Sequence, residues 1–234
     1  MLSIIIPVYN EVQTIEKILL KIKKIKKIKK QIIIVDDGST DGTSEKLKAI
    51  KSKFKIDKII FNKKNKGKGH AIKLAQKKIS QKFTIIQDAD LEYNPKDYHK
   101  ILRVLKRKKY KVVYGSRILN TNHFTKNNFT SNIRLFANHL LTITSNIINS
   151  QNLTDAHTCY KAFDSNIFKK LNLCENGFSF CPEVTTKISN LGLNIFEVKI
   201  SYNGRDYKSG KKISFMDGFD ALWTLIKYKI NKWI

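Results

Sequence analysis

Three acidic side chains, Asp88, Asp90 and Glu92, follow a short apolar run, Phe83 to Gln87. In an extended segment alternate side chains project to the same side, so these carboxylates are expected on one face just past a strand end. Like charges that close together repel unless a cation joins them. Hard oxygen ligands suit Mg²⁺ or Mn²⁺, ions that keep coordination positions open for substrate phosphates. A solvated acidic turn ahead of a helix starting near Pro95, with Asn94 as its N-cap, accounts for the same residues without a metal. A second acidic segment, Asp36-Asp37-Gly38-Ser39-Thr40-Asp41-Gly42, closes the run Gln31 to Val35. A helix-capping turn needs one such acid. The other stands where acids of nucleotide-binding α/β folds bond a ribose or a base. Gly67-Lys68-Gly69 can bring backbone N–H groups and one ammonium to a phosphate, although neither GxxxxGK[ST] nor GxGxxG occurs.

The elements that must position these groups alternate. Ser3 to Val8 and Gln31 to Val35 read as strands, and Ile15, Ile18, Ile22, Ile25 and Ile28 between them lie at helical spacing. A helix over 44–53, a strand over 58–61, a helix over 69–79, a strand over 83–87 and a strand over 112–115 continue the series. Such a βαβ chain predicts an α/β fold with a mainly parallel central sheet flanked by helices. Its ligands are expected beyond the carboxyl ends of the strands, where Tyr9-Asn10-Glu11, Asp36-Asp37 and Asp88-Ala89-Asp90 gather. After residue 115 the alternation stops. Phe136, Leu140, Ile143 and Ile147 form one helical stripe, and Phe215, Phe219, Leu222, Ile226 and Trp233 form a last one with Lys227, Lys229 and Lys232 beside it. That last helix is expected either to pack on the domain or to lie on a membrane surface.

With 234 residues and 41% hydrophobic content the chain has enough apolar surface to form one substantial domain, which excludes disorder. Cys159, Cys174 and Cys181 have no zinc-ligand spacing, and an odd count argues against a paired disulfide framework. With no basic leader ahead of Ser3 and no apolar run long enough for a bilayer, a cytosolic location is expected. The net charge of +26 comes almost wholly from lysine and favours anionic partners. The lysines of 21–30 fall on the solvent face of the first helix, which accounts for them without nucleic acid.

Pro7-Val8-Tyr9-Asn10-Glu11, Val35 to Thr43, Asn65-Lys66-Gly67-Lys68-Gly69, Asp88-Ala89-Asp90-Leu91-Glu92 and Gly115-Ser116-Arg117 together resemble the family 2 glycosyltransferases of the GT-A, Rossmann-like fold. The subgroup resembled is the polyprenyl-phosphate sugar synthases of the dolichyl-phosphate mannose or glucose synthase type. The likeness runs on through Asp155 to Lys161, Pro182-Glu183 and Arg205 to Ile213. It departs from the subgroup at Cys159, where a glycine is usual. The resemblance implies a GT-A domain over 1–213 and a C-terminal amphipathic helix over 214–234. It places Pro7, Tyr9, Glu11, Asp37, Lys68 and Asp88 at the nucleotide sugar, and Asp88, Asp90 and Glu92 at Mg²⁺ or Mn²⁺. Asp88, Asp90 and Arg117 are implied in catalysis, and Arg134, Arg205 and Lys211 in holding acceptor phosphates.

The activity so implied is inverting transfer of a hexose from a GDP- or UDP-linked sugar to a polyprenyl phosphate, dolichyl or undecaprenyl. The enzyme is expected on the cytosolic membrane face, in peripheral contact with anionic lipid. A phosphate acceptor is already an anionic nucleophile and needs no general base. A saccharide hydroxyl acceptor, as in cell-surface polysaccharide synthesis, is the alternative. A basic nucleic-acid-binding protein would explain the charge but not the ordered acids, which repel phosphates unless a metal intervenes, so nucleic acid is not expected as a partner. His157 is weighed as an acceptor contact and as a structural residue of its loop.

Overall fold

The computed structural model describes residues 1–119, 129–204 and 216–231, with no side chains described for 129–136 and 216–217. Seven strands form one sheet: β1 (Leu2–Val8), β2 (Lys30–Asp36), β3 (Lys58–Phe61), β4 (Phe83–Ile86), β5 (Val112–Ser116), β6 (Lys161–Asp164) and β7 (Ile195–Lys199). Their order is β3-β2-β1-β4-β6-β5-β7. β1 pairs in parallel with β2 and β4, with Ile4 opposite Ile32 and Ile85 and Ile5 opposite Ile33 and Ile86. These residues are almost fully buried, as strands covered on both faces require. The order reverses between β1 and β4, so the crevice beyond their carboxyl ends is where such a sheet takes a ligand.

The β1–β5 series matches the sequence expectation, and β6 and β7 are the additions. β7 pairs in parallel with β5, whereas β6 is antiparallel to both β4 and β5. Because it runs the other way, its start rather than its end lies at the ligand edge, which delivers the Asp155–Tyr160 segment to the crevice. Lys161, at the head of β6, is fully buried. Its ammonium donates to the Ala156 and Thr158 carbonyls at 2.7 and 2.8 Å and sits 4.0 Å from the Tyr114 ring centre. That charge is satisfied by backbone dipoles and an aromatic face, and it fixes the turn of the segment.

Helix α1 (Ile15–Lys23) buries Ile15, Ile18, Leu19 and Ile22. It ends before the predicted Ile28: Lys30 Nζ caps the Ile22 and Ile25 carbonyls at 3.1 and 2.5 Å, and Lys27 takes a left-handed φ of 63°. Helices α2 (Thr43–Phe54), α3 (Lys68–Gln76) and α4 (Tyr98–Lys106) follow, and Asn94 caps the short 3₁₀ turn before α4 through Lys96 N. The rest are α5 (Phe129–Asn149), α6 (Ser165–Lys170), α7 (Phe180–Asn190) and α8 (Met216–Ile230).

Most described residues of the two late apolar stripes face outward, Leu222 being half-buried. Leu140, Ile143 and Ile147 of α5 and Phe219, Trp223, Ile226 and Ile230 of α8 are exposed, while Thr142, Ser145 and Asn149 of α5 are buried. The inward polar face is tied down in part: Asn149 Nδ2 donates to Thr186 Oγ1 and its carbonyl accepts from Ser189 Oγ of α7, Thr142 Oγ1 accepts from Ala156 N, and the buried Asn149 Oδ1 has no partner among the described residues. Helix α8 packs on α5 and α7 through Ala221, Thr224, Leu225 and Tyr228 instead. Phe215 and Trp233 lie outside the described residues. No described helix is long and apolar enough to cross a membrane.

Candidate active site

The crevice beyond β1, β2 and β4 is a cleft of about 390 Å³. Pro7, Tyr9, Glu11, Asp37, Lys68, Asp88, Asp90, Glu92 and Arg117, all singled out in the sequence, line it together. A hollow of about 490 Å³ between α4 and β7 is larger but more open, and contains none of them. The Arg134 side chain, Arg205 and Lys211 lie outside the described residues.

The loops after β1 and β2 are laced together. Asn10 N donates to Ser39 Oγ at 2.9 Å, Thr40 N to Asn10 Oδ1 at 2.8 Å and Glu11 N to Thr43 Oγ1 at 3.0 Å. The adjacent acids divide the work. Asp36 accepts from Ser39 N, Ser39 Oγ and Ser44 Oγ, closing its own turn. Asp37, 3% exposed, accepts from Asn62 Nδ2 at 2.7 Å and from the N–H groups of Lys66 and Gly67 at 3.0 and 2.7 Å. The sequence assigned Asp37 to the nucleoside; in the fold its Oδ2 holds the Lys66–Gly67 turn to the cleft wall while its Oδ1 holds the Asn62 amide. Gly67 is needed there twice over, because its φ is +99° and a Cβ would lie 2.5 Å from the Asn176 carbonyl oxygen.

That loop starts α3 and delivers Lys68, whose Nζ is 2.6 Å from Asp88 Oδ1 and 3.5 Å from Cys159 Sγ. Burial opposes the Lys68 charge, but Asp88 outweighs it and raises the ammonium above the usual lysine range. Asp88 is steadied from behind: Gln87 Nε2 donates to its carbonyl at 2.9 Å, and the Gln87 oxygen takes the Tyr98 and Tyr160 hydroxyls at 2.7 and 2.6 Å.

The predicted three-carboxylate face does not form. Leu91 has a φ of 68°, so the segment is a turn and not a strand, and the alternation of side chains is lost. Asp90 Oδ1 accepts from Glu92 N at 3.1 Å, and the Glu92 carboxylate takes the Tyr202 hydroxyl at 2.8 Å. Among the described residues no three His, Cys, Asp or Glu side chains form a group able to hold a metal ion. Asp88 and Asp90 remain in the cleft as two hard oxygen donors. That set fits Mg²⁺ or Mn²⁺ only if a bound diphosphate completes the shell, the usual arrangement for these ions.

Opposite them stands Arg117. Its Nε and Nη2 donate to Asp155 Oδ2 and Oδ1 at 2.7 and 2.8 Å, its backbone N donates at 3.0 Å, and its guanidinium lies 5.2 Å from the Tyr202 ring centre. Burial works against both charges. Even so, Arg117 holds the Asp155 carboxyl below its ordinary range, and Tyr93 together with Asp155 holds the guanidinium above its own.

Sequence reasoning did not single out Tyr93, Phe178, Cys181 and Tyr202 as lining residues, and it gave Cys159 no place in the site. Tyr93 arrives on the turn after β4, and the others come through the approach to β6, the start of α7 and the segment after β7, for which no local pattern gave a strand-end position. His157 also lines the cleft. Its imidazole is pushed down to about 4, by burial first and then by Lys161 and Arg117, with Asp155 acting the other way. The unfolded imidazole titrates near ~6.5, so between these values the unfolded chain binds the extra proton and stability should fall as pH drops from about 6.5 towards 4. Urea melts at pH 7 and pH 5 should show a smaller loss in His157→Gln than in the wild type. Equal losses would count against this assignment.

Comparison with known proteins agrees with this geometry. Residues 3–171 match the family described as glycosyl transferase family 2. UDP-N-acetylglucosamine–dolichyl-phosphate N-acetylglucosaminyltransferase of Methanococcus voltae is 26% identical over 99% of this chain and 97% of that protein. Dolichyl-phosphate beta-glucosyltransferase of Saccharomyces cerevisiae is 29% identical over 88% of this chain and 67% of that protein. The crystal structure of glucosyl-3-phosphoglycerate synthase from Mycobacterium tuberculosis with UDP has a TM-score of 0.70 over 98% of this chain and 80% of that one, at 16% identity, so the likeness is one of fold. A match across most of the sheet that builds the cleft, on a shared GT-A architecture, makes this chain a glycosyltransferase belonging to glycosyl transferase family 2.

Proposed function

We propose that the protein transfers a hexose or N-acetylhexosamine from a UDP-linked sugar to a polyprenyl phosphate held in a membrane, with inversion at the anomeric carbon. The observation that carries the acceptor assignment is the outward apolar face of two packed helices, Leu140, Ile143 and Ile147 on α5 and Phe219, Trp223, Ile226 and Ile230 on α8. Exposed apolar side chains at helical spacing suit burial at a lipid interface, and the net charge of +26 favours an anionic one. The names of the relatives, with dolichyl phosphate as acceptor and UDP on one donor, support the same reading.

In this reading Pro7, Tyr9 and Glu11 contact the nucleoside, and Asp37 acts by holding the Asn65–Gly67 loop against it. Asp88 and Asp90 hold Mg²⁺ or Mn²⁺, which when bound offsets diphosphate charge. Arg117, locked by Asp155, faces the same leaving group, so its positive charge is already oriented when the bond to the sugar breaks. An acceptor phosphate oxygen forms the new bond to the anomeric carbon as the carbon–oxygen bond to the diphosphate breaks, and the nucleoside diphosphate departs. No proton needs to move, which agrees with a cleft whose one imidazole among the described residues, His157, is held neutral by burial. Arg205, Lys211 and Arg134 are proposed to hold the acceptor phosphate.

The test is transfer of radiolabelled sugar from a panel of UDP- and GDP-sugars to polyprenyl phosphate in vesicles containing anionic lipid. Label should enter the organic phase in an acid-labile product. Label entering only water-soluble saccharide would remove the lipid acceptor. Trp223→Glu with Ile147→Glu is expected to lower transfer to the vesicle-bound acceptor at least about tenfold while sparing a short, water-soluble prenyl phosphate, since two charges then face the interface. Equal loss on both acceptors would argue for a structural effect instead.

A further inference from the structure

Lys68 and Asp88 form an ion pair in the middle of the cleft, 2.6 Å apart, with side chains only 20% and 19% exposed. Both ends are held by rigid structure. Asp37 grips the N–H groups just before Lys68, and Gly67 and Gly69 lie so close beneath the carbonyls of Asn176 and Glu175 that neither position has room for a Cβ. His70 N donates to Asn176 O at 3.0 Å and Lys73 Nζ to Cys174 O at 2.6 Å, fastening the same contact. On the other side Gln87 and its two tyrosines set the Asp88 backbone. The ammonium is therefore delivered to this carboxylate by the fold.

A divalent cation on Asp88 would sit about 2.0–2.2 Å from a carboxylate oxygen, within a few ångströms of the lysine charge. Two cations that close repel strongly in a sheltered cleft. A nucleoside diphosphate changes the balance, because its oxygens offer partners to the ammonium and to the metal at once. Lysine suits such an exchange, being a compact charge on a flexible stem.

We propose that Lys68 is an exchangeable counter-ion: in the donor-free protein its ammonium occupies Asp88 in place of the divalent cation, and the arriving diphosphate draws it away, so that metal binding is conditional on the donor. The inference rests on the nucleotide-sugar and metal reading above. It adds an order to binding, in which the empty site holds metal poorly and donor and metal enter together, and by linkage each tightens the other.

The experiment is Mn²⁺ titration of the full chain followed by electron paramagnetic resonance of free Mn²⁺, with and without UDP. Wild type should bind Mn²⁺ at least about tenfold tighter with UDP present. Without nucleotide, Lys68→Met should bind Mn²⁺ about tenfold or more tighter than wild type, the scale of losing one charge-assisted competitor for the carboxylate. Lys68→Arg, which keeps the charge, should stay near wild type. Lys66→Met removes the same charge from an exposed neighbour and should change nucleotide-free affinity less than about threefold, as a screened surface charge would. Equal effects of Lys68→Met and Lys66→Met, or nucleotide-free Mn²⁺ binding by Lys68→Met no tighter than by wild type, would overturn the exchange. Absence of Mn²⁺ uptake by wild type with UDP would overturn the metal assignment itself, a separate result.

Discussion

Arg117→Met is expected to lose about 3–5 kcal/mol of stability, because removing one partner of a buried ion pair strands the other. The stranded group is Asp155, 5% exposed by side chain, which would keep the Arg117 backbone N–H but lose both arms of the guanidinium. Arg117→Lys should fall between, since an ammonium restores the charge but not the two-pronged geometry. Burial raises the Asp155 carboxyl and the guanidinium overrides that, leaving it depressed. A depressed carboxylate stabilises above its unfolded value, near ~3.9, and that stability disappears as pH falls through the folded one, so wild type and variant should converge in acid. Urea melts from pH 7 downward measure both effects. Arg117→Met combined with Asp155→Leu should recover part of the stability, and transfer should stay at least about 100-fold down because the leaving group has lost its oriented charge. A single-variant loss under about 1 kcal/mol would mean that the pair is solvated and that Arg117 is not pre-oriented.

The second large effect separates the carboxylates. Asp90→Ala is expected to lower the transfer rate by about 10²–10³ at saturating Mn²⁺, the range seen when a group opposing developing charge is removed. Its stability cost should be near ~1 kcal/mol, since the side chain also accepts one backbone N–H, from Glu92. Glu92→Gln should cost less than about tenfold in rate, because the Glu92 carboxylate accepts the Tyr202 hydroxyl and an amide oxygen can do the same. Initial rates for the two variants rank them. If Glu92→Gln proves the more damaging, the metal is held by the extended acidic face that the sequence suggested, and the turn at Leu91 must rearrange when substrate binds.

The β1–β5 half of the fold was legible because its signals are local. Ile4, Ile5 and Ile6 can only be a strand buried on both faces, and Ile15, Ile18 and Ile22 can only serve a helix packed on it. Asp37, Lys68 and Asp88 were legible as cleft residues because each closes or follows such an element. Their assignments to one another were not legible. Asp37 bonds an N–H 30 residues away, and Lys68 reaches Asp88 across two elements. β6 was missed because Lys161 heads it, and a charged residue there is tolerable only with the Ala156 and Thr158 carbonyls folded around it. The outward apolar stripes of α5 and α8 show the same limit in reverse. Periodicity reveals that a helix has an apolar face, but which face turns inward depended on Thr186 and Ser189 of α7 being placed to bond the Asn149 amide nitrogen and carbonyl.

The sequence by itself determined that acidic strand ends and a Gly-Lys-Gly turn gather at one edge of a mainly parallel sheet, because hydrophobic period and chain direction are local properties. Only the tertiary structure decided that Asp36 and Asp37 organise loops, that Glu92 turns to Tyr202, that Asp155 locks Arg117, and that Lys68 already neutralises Asp88. Those are pairings between charges distant in sequence, and their partners are chosen by distance, burial and competing hydrogen bonds, none of which exists until the sheet has closed over its core.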